Sequence, residues 1–163
     1  MKTFEELKED LLERAKKHHA CQDGYSMGLN AKSKQDLLKA ITDNWYWVLS
    51  TSKMIDANYL EKNFTEEELT EAGIYTRKEH TSNAKSFACG SATVKAYGSA
   101  TVEACDSATV EAYDSATVKA YDNSYVEDCT GNINAVSDHG IVKDYYNHKI
   151  YIKKGKFEII EIE

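Results

Sequence analysis

The chain has no proline and no pair of cysteines at CxxC spacing. It also has no uninterrupted apolar run near the roughly 20 residues that span a bilayer. The missing proline removes one usual marker of linkers, so boundaries must be read from changes of pattern. The missing CxxC argues against a zinc ribbon or a thioredoxin-type pair. The opening MKTFEELKED is charged where a secretory leader needs an apolar stretch, so a cytoplasmic location, with Cys21, Cys89, Cys105 and Cys129 reduced, is the expectation. The basic excess that favours nucleic acid or an anionic membrane is also absent. The net charge is −7 over 163 residues, so no direct binding to either is expected.

What is present is a repeat. GSATVKAYGSATVEACDSATVEAYDSATVKAYD fills residues 90–122, and within it Ser-Ala-Thr-Val-(Lys/Glu)-Ala-(Tyr/Cys)-(Gly/Asp) recurs every eight residues. An imperfect unit precedes it (NAKSFACG) and three degenerate ones follow (NSYVEDCT, GNINAVSD, HGIVKDYY), giving eight units over 83–146. A repeat of this length fixes the architecture before any other feature does.

Within each unit, alanine at positions two and six and valine at position four share one side of an extended strand. Threonine at three and Lys/Glu at five share the other. A charge does not sit in a dry interior, so Ala-Val-Ala faces inward. The Gly/Asp–Ser/Asn junction is turn chemistry. Each octad is then one short strand and one tight corner, and only stacking buries its apolar face. The expected object is a β-solenoid.

Position five sets the number of octads per rung. Two per rung place Lys95 over Glu111, Glu103 over Lys119 and Glu127 over Lys143, leaving Glu111 over Glu127 as the one like-charged pair. Three per rung stack Lys95, Lys119 and Lys143 together. Opposed unlike charges help a ladder by about 0.2–1 kcal/mol and like charges oppose it, so sixteen residues per rung is the expectation. Position seven then makes one column of Tyr97, Tyr113, Cys129 and Tyr145, and another of Cys89, Cys105 and Tyr121. Cys89 and Cys105 fall on adjacent rungs, within reach of a disulfide under oxidation but free in a cytoplasm.

Residues 1–82 read as a small helical domain. Thr3 with Glu6 has capping-box spacing ahead of a stripe of Phe4, Leu7, Leu11, Leu12 and Ala15. Asp23-Gly24 reads as a turn. Ser33 caps SKQDLLKAITD with Leu37, Leu38 and Ile41 inward. NWYWVL at 44–49 reads as a buried helical run. Thr65 with Glu68 opens a short helix that stops at Gly73. This domain is expected to cover the first rung. Residues 147–163, with KIYIKKGKFEIIEIE, read as a hairpin around Lys154-Gly155, Ile150 and Ile152 facing Ile160 and Ile162, closing the last rung. The fold class is thus α+β: a helical domain, an octapeptide β-solenoid over 83–146, and a C-terminal β-hairpin cap.

The stretch DLLERAKKHHACQDGYSMGLNAKSKQDLLKAITDNWYWVL resembles a small helical module of uncharacterised bacteriophage and mobile-element proteins. In that module an Ala-Cys pair, an acidic residue and glycine follow one helix, and a second helix leads to a Trp-x-x-Trp-like segment. Here the aromatics are Trp45, Tyr46 and Trp47, more closely spaced. The octads are similar to repeats that follow such modules, and loosely to those of ice-nucleation proteins. The resemblance implies a solenoid of phage-associated origin in a bacterial host, and no defined activity.

Candidate chemistry is thin. His18, His19 and Cys21 are metal-ligand types, but adjacent histidines point apart and no second ligand pair follows, so a solvated helix end accounts for them. Asp106, Asp114 and Asp122 as calcium ligands would need glycine-rich nonads, and the period here is eight. His80, His139 and His148 have no nucleophile at a catalytic spacing, and no phosphate loop, HExxH or GxSxG occurs. No enzyme, cofactor or metal is expected. Residues 83–146 carry four lysines and nine carboxylates. The expected function is protein binding through an acidic, tyrosine-lined face of Glu103, Asp106, Glu111, Asp114, Asp122, Tyr97, Tyr113 and Tyr121. Its particular form would be a phage inhibitor of a host-defence protein such as a CRISPR nuclease. The alternative is an assembly component of a virion or mobile element that forms homo-oligomers through its solenoid.

Overall fold

A computed structural model describes every residue except Ile133. Five α-helices and one π-helical segment come first: α1 (Phe4–Lys17), α2 (Gln22–Asn30), α3 (Lys34–Asp43), the π-helix Tyr46–Thr51, α4 (Ala57–Asn63) and α5 (Glu66–Glu71). Eleven short strands follow: β1 (Ile74–Tyr75), β2 (Glu79–Ser82), β3 (Lys85–Ala88), β4 (Thr93–Ala96), β5 (Thr101–Ala104), β6 (Thr109–Ala112), β7 (Thr117–Ala120), β8 (Tyr125–Asp128), β9 (Ala135–Val136), β10 (Ile141–Asp144) and β11 (Lys149–Ile152).

Successive octads alternate between two sheets. One has the order β1-β3-β5-β7-β9, the other β11-β10-β8-β6-β4-β2. Octads therefore pair with the second unit along, in parallel register: Val94 opposes Val110, Val102 opposes Val118, and Val110 opposes Val126. This is the sixteen-residue rung that the charges at position five require. The inward column Val94, Val102, Val110, Ala96, Ala104 and Ala112 is fully buried. Side chains this small let the sheets lie close, and each buried methylene contributes about 0.8 kcal/mol.

The corners use position eight. Asp106, Asp114 and Asp122 take positive φ (51°, 55°, 49°), a region where aspartate is tolerated better than most residues. Near the end of the solenoid β9 has two residues, and side-chain amides bond to the rung before it: Asn134 Oδ1 accepts from the Val118 N–H (2.6 Å) and Asn132 Nδ2 donates to the Ala116 carbonyl (3.1 Å). Buried Asp128 stands where the earlier rungs have alanine and anchors these amides, accepting from Asn134 Nδ2 (2.9 Å) and from the Thr130 N–H (2.8 Å).

Several local readings change. Strands begin at Ile74, so the helical pattern does not extend to residue 82; β1 and β2 pair with β3 and β4 and supply the first rung. Asp23-Gly24 is no turn. Both lie in α2, because Cys21 caps that helix with Sγ accepting the Gly24 N–H (3.4 Å). Trp45, Val48 and Leu49 are buried as expected, but the run is π-helical and leaves Tyr46 exposed. The C-terminal hairpin exists one strand earlier than its sequence suggests. β11 runs antiparallel to β10 across residues 145–148, with Ile141 opposite Ile152. A turn does form at Lys154-Gly155, but Phe157 rests edge-on against His139 (5.7 Å) and the residues after it do not pair with β11. Ile160 and Ile162 are 75% and 91% exposed. Among the described residues no helix is long and apolar enough to cross a membrane.

The helical module does more than cover the first rung. It lies along one flank of the stack. Trp45 packs on Phe87 (5.0 Å between ring centres) and Tyr46 on Tyr121 (4.4 Å), and the Tyr46 hydroxyl reaches Asp138 (3.5 Å). Leu7, Leu38, Trp45 and Leu60 form one continuous core with Phe87, Cys89 and Cys105 of the solenoid.

Candidate functional site

The eight residues expected to form one face divide between two opposite flanks. Glu103, Asp106, Asp122 and Tyr121 lie on the flank that meets the helical module. Glu103 is buried between Lys85 (3.7 Å) and Lys119 (3.6 Å). Asp122 is also buried. It accepts from Ser50 Oγ (2.7 Å) and faces Lys53 (3.7 Å). Burial and the nearby Asp122 charge hold the Asp106 carboxyl above the usual range, against the Gly90 N–H bond that lowers it. Burial pushes the Tyr121 hydroxyl up to about 12. Glu103 and Asp122 are thus engaged and buried within the molecule, while Asp106 and Tyr121 stay half-buried at the edge of the module.

The signal for this was present at two positions. Where the other column carries tyrosine, Cys89 and Cys105 are small, which leaves room for the module. Phe87 replaces the usual charge at position five because Trp45 covers it.

The opposite flank is open. Tyr97 and Tyr113 stack in parallel (5.0 Å, 11°) one rung apart. The Tyr113 hydroxyl donates to Glu111 Oε2 (2.8 Å), and that bond pushes it up to about 12. On the next rung Glu127 Oε1 accepts from the hydroxyls of Tyr125 (3.3 Å) and Tyr145 (3.4 Å). Glu111 and Glu127 are register partners on β6 and β8. The lysines on either side are turned elsewhere: Lys95 pairs with Glu79 (3.0 Å) and Lys143 lies over the Tyr145 ring (4.4 Å). Among the described residues neither Glu111 nor Glu127 has a cation within ion-pair distance. Asp114 completes the patch at the corner, with Oδ2 accepting the Gly98 N–H (2.9 Å).

The open face is therefore Tyr97, Tyr113, Tyr125, Tyr145, Glu111, Glu127 and Asp114. Sequence reasoning placed Glu127 and Tyr145 in the right columns but left them out of the face. Tyr125 stands where the repeat has threonine, and that departure is the signal that marks it.

One cluster of ligand-type groups lies elsewhere. The sulfurs of Cys89 and Cys105 and a carboxylate oxygen of Asp106 fall within 4.8 Å of one another behind the module. Both thiols are free. The adjacent Cys89 sulfur and burial push the Cys105 thiol up.

Compared with known proteins, the chain matches no family model, no curated protein sequence and no solved structure. The reading of its function therefore rests on its own geometry.

Proposed function

We propose that the protein is a non-catalytic binding module that docks another protein on the open face of β4, β6, β8 and β10. The observation that carries this reading is the Glu111–Glu127 pair: two carboxylates one rung apart, with no cation at ion-pair distance among the described residues and held in place by tyrosine hydroxyls. Like charges so placed oppose the ladder, and a partner's arginine or lysine between them removes that opposition. The stacked Tyr97 and Tyr113 supply rigid amphipathic area beside the charges, the composition that interface centres favour. A partner with a basic groove, such as a protein that handles nucleic acid, has the complementary charge. A phage inhibitor acting on a host-defence nuclease is the particular form of this reading.

The test is affinity capture from bacterial lysate with three baits: the natural chain, a face variant (Tyr97→Ala, Tyr113→Ala, Glu111→Lys), and Glu103→Gln on the covered flank. The same protein should be enriched by the first and third baits and lost with the second. Binding of that protein, once purified, should weaken more than tenfold in the face variant, about 1.4 kcal/mol or more. A capture pattern unchanged by the face variant would overturn the reading.

A further inference from the structure

Exposed apolar groups are not spread evenly over the molecule. Among the described residues, six of the ten exposed large hydrophobic side chains lie at the C-terminal end: Tyr145, Tyr146, Ile150, Ile159, Ile160 and Ile162. β11 is also the outermost strand of its sheet, so one row of its backbone N–H and C=O groups faces outward without a strand partner. Its centre, Ile150-Tyr151-Ile152, has no charge to discourage pairing. An edge of this kind is a template for another strand. The residues that follow are a strand sequence without a strand. The segment 157–163 reads FEIIEIE, yet it takes no regular structure.

The charges of these two segments are complementary. Residues 149–156 hold four lysines and no acid, and residues 157–163 hold three glutamates and no base. The flanking lysines of β11 repel a second β11, but they attract a tail. Within one chain a turn closes at 153–156, Phe157 rests against His139, and residues 157–163 pair with no strand. The linker 153–156 spans at most about 14 Å when extended, which exceeds the roughly 4.8 Å between neighbouring strands. That reach suffices for a neighbouring strand edge, its own or an adjacent molecule's.

We propose that two copies of the chain associate by reciprocal strand exchange, with residues 157–163 of each adding to the free edge of β11 in the other. The exchange is symmetric and closed, since each copy gives its tail to the same copy from which it receives one, so it stops at a dimer. This surface is separate from the open tyrosine face and does not depend on that reading.

Charge reversal tests it. Lys153→Glu/Lys154→Glu/Lys156→Glu leaves one lysine and three glutamates in 149–156 and so makes both segments acidic, and Glu158→Lys/Glu161→Lys leaves two lysines and one glutamate in 157–163 and makes both basic. Light scattering at micromolar concentration should give twice the chain mass for the natural protein and a single chain mass for each variant alone. An equimolar mixture of the two variants should return to the dimer mass, because each tail then meets an edge of opposite charge. Truncation after Lys153 should give a chain that stays monomeric alone. A natural chain that is monomeric with its tail amides protected from exchange would mean an intrachain hairpin and would overturn the proposal. So would open-ended assembly, or variants that dimerise unmixed.

Discussion

Asp106 Oδ2 accepts the backbone N–H of Gly90, sixteen residues earlier and one rung below, at 3.1 Å. Asp114 repeats the contact with Gly98 at 2.9 Å, and Asp122 repeats it more loosely with Asp106 at 3.4 Å. Position eight of the octad thus does two things. It turns the corner at positive φ, and its carboxylate ties that corner to the rung before it. The two glycines at this position, Gly90 and Gly98, are the earliest in the octads, and each donates its N–H upward to such a carboxylate.

The same substitution should therefore behave differently at the two glycines. A Cβ at Gly98 meets nothing within 4 Å, whereas one at Gly90 lies 2.5 Å from the Thr76 carbonyl oxygen and 2.8 Å from the Ala57 Cβ. Gly98→Asp should change stability by less than about 1 kcal/mol, since aspartate accepts this backbone elsewhere in the stack. Gly90→Asp should cost about 3 kcal/mol or more, because backbone and α4 must both move. Urea denaturation of the two variants checks this, and equal effects would contradict the packing of the module on the first corner.

How far the sequence itself reveals these features varies by level. Rung length is legible because the constraint repeats: Ala-Val-Ala inward and Lys/Glu at position five appear in unit after unit, and only one register satisfies both. Corners are legible for the same reason. The fate of individual carboxylates is not. Glu103 and Glu111 occupy the same place in identical SATVEA sequences, yet one is buried between two lysines and the other is open. That difference is set by where the helical module lies, which depends on single contacts such as Trp45 on Phe87 and not on any period. The tail shows the same limit. The last four residues, IEIE, have strand alternation, but alternation does not say which edge, or whose, the strand will join.

Asp106 provides a pH test. Its carboxyl titrates above the ordinary 3.8, raised by burial and by Asp122. For an acid whose folded value is raised, the charged form is disfavoured by folding. The penalty is present above the folded value and absent below the unfolded one. Asp106→Asn retains an oxygen for the Gly90 N–H and removes the charge. It should be more stable than the natural protein at pH 7, by up to about 1 kcal/mol for a partly exposed pair. The advantage should shrink as pH falls toward 4, where the natural carboxyl also becomes neutral. Denaturant midpoints measured at stepwise pH would show it, and an advantage that grows on acidification would reverse the sign assigned here.

The valine column should be sensitive to truncation. Val110 is fully buried between Val94 and Val126. Val110→Ala removes two methylene-sized groups, about 1.6 kcal/mol of transfer, and adds a cavity contribution because the tightly stacked sheets cannot close over the gap. A total near 2 kcal/mol is expected from urea denaturation. Thr109→Ala, one residue away on the outer side, should lie within about 0.5 kcal/mol of the natural protein. Similar losses at the two sites would mean that Val110 does not face the interior.

The four thiols should separate by reactivity. Alkylation requires the thiolate and access to it. Cys21 is exposed at the start of α2. Cys129 is also exposed, but partial burial and the charges of Asp128, Glu127 and Glu111 hold its thiol above the usual range, so less of it is ionised near neutral pH. Cys89 and Cys105 are buried where the module meets the solenoid, and the Cys105 thiol is raised further by its neighbour. With a small alkylating reagent near pH 7.5, followed by peptide mass spectrometry, the order should be Cys21, then Cys129, with Cys89 and Cys105 labelled only as fast as the protein opens. Mild denaturant should accelerate the last two together, because the same contacts cover both. If Cys105 were labelled in the native protein as quickly as Cys21, the helical module could not be seated along that flank. Glu103, Asp106 and Asp122 would then be exposed again, and the docking face would have to be redrawn to include them.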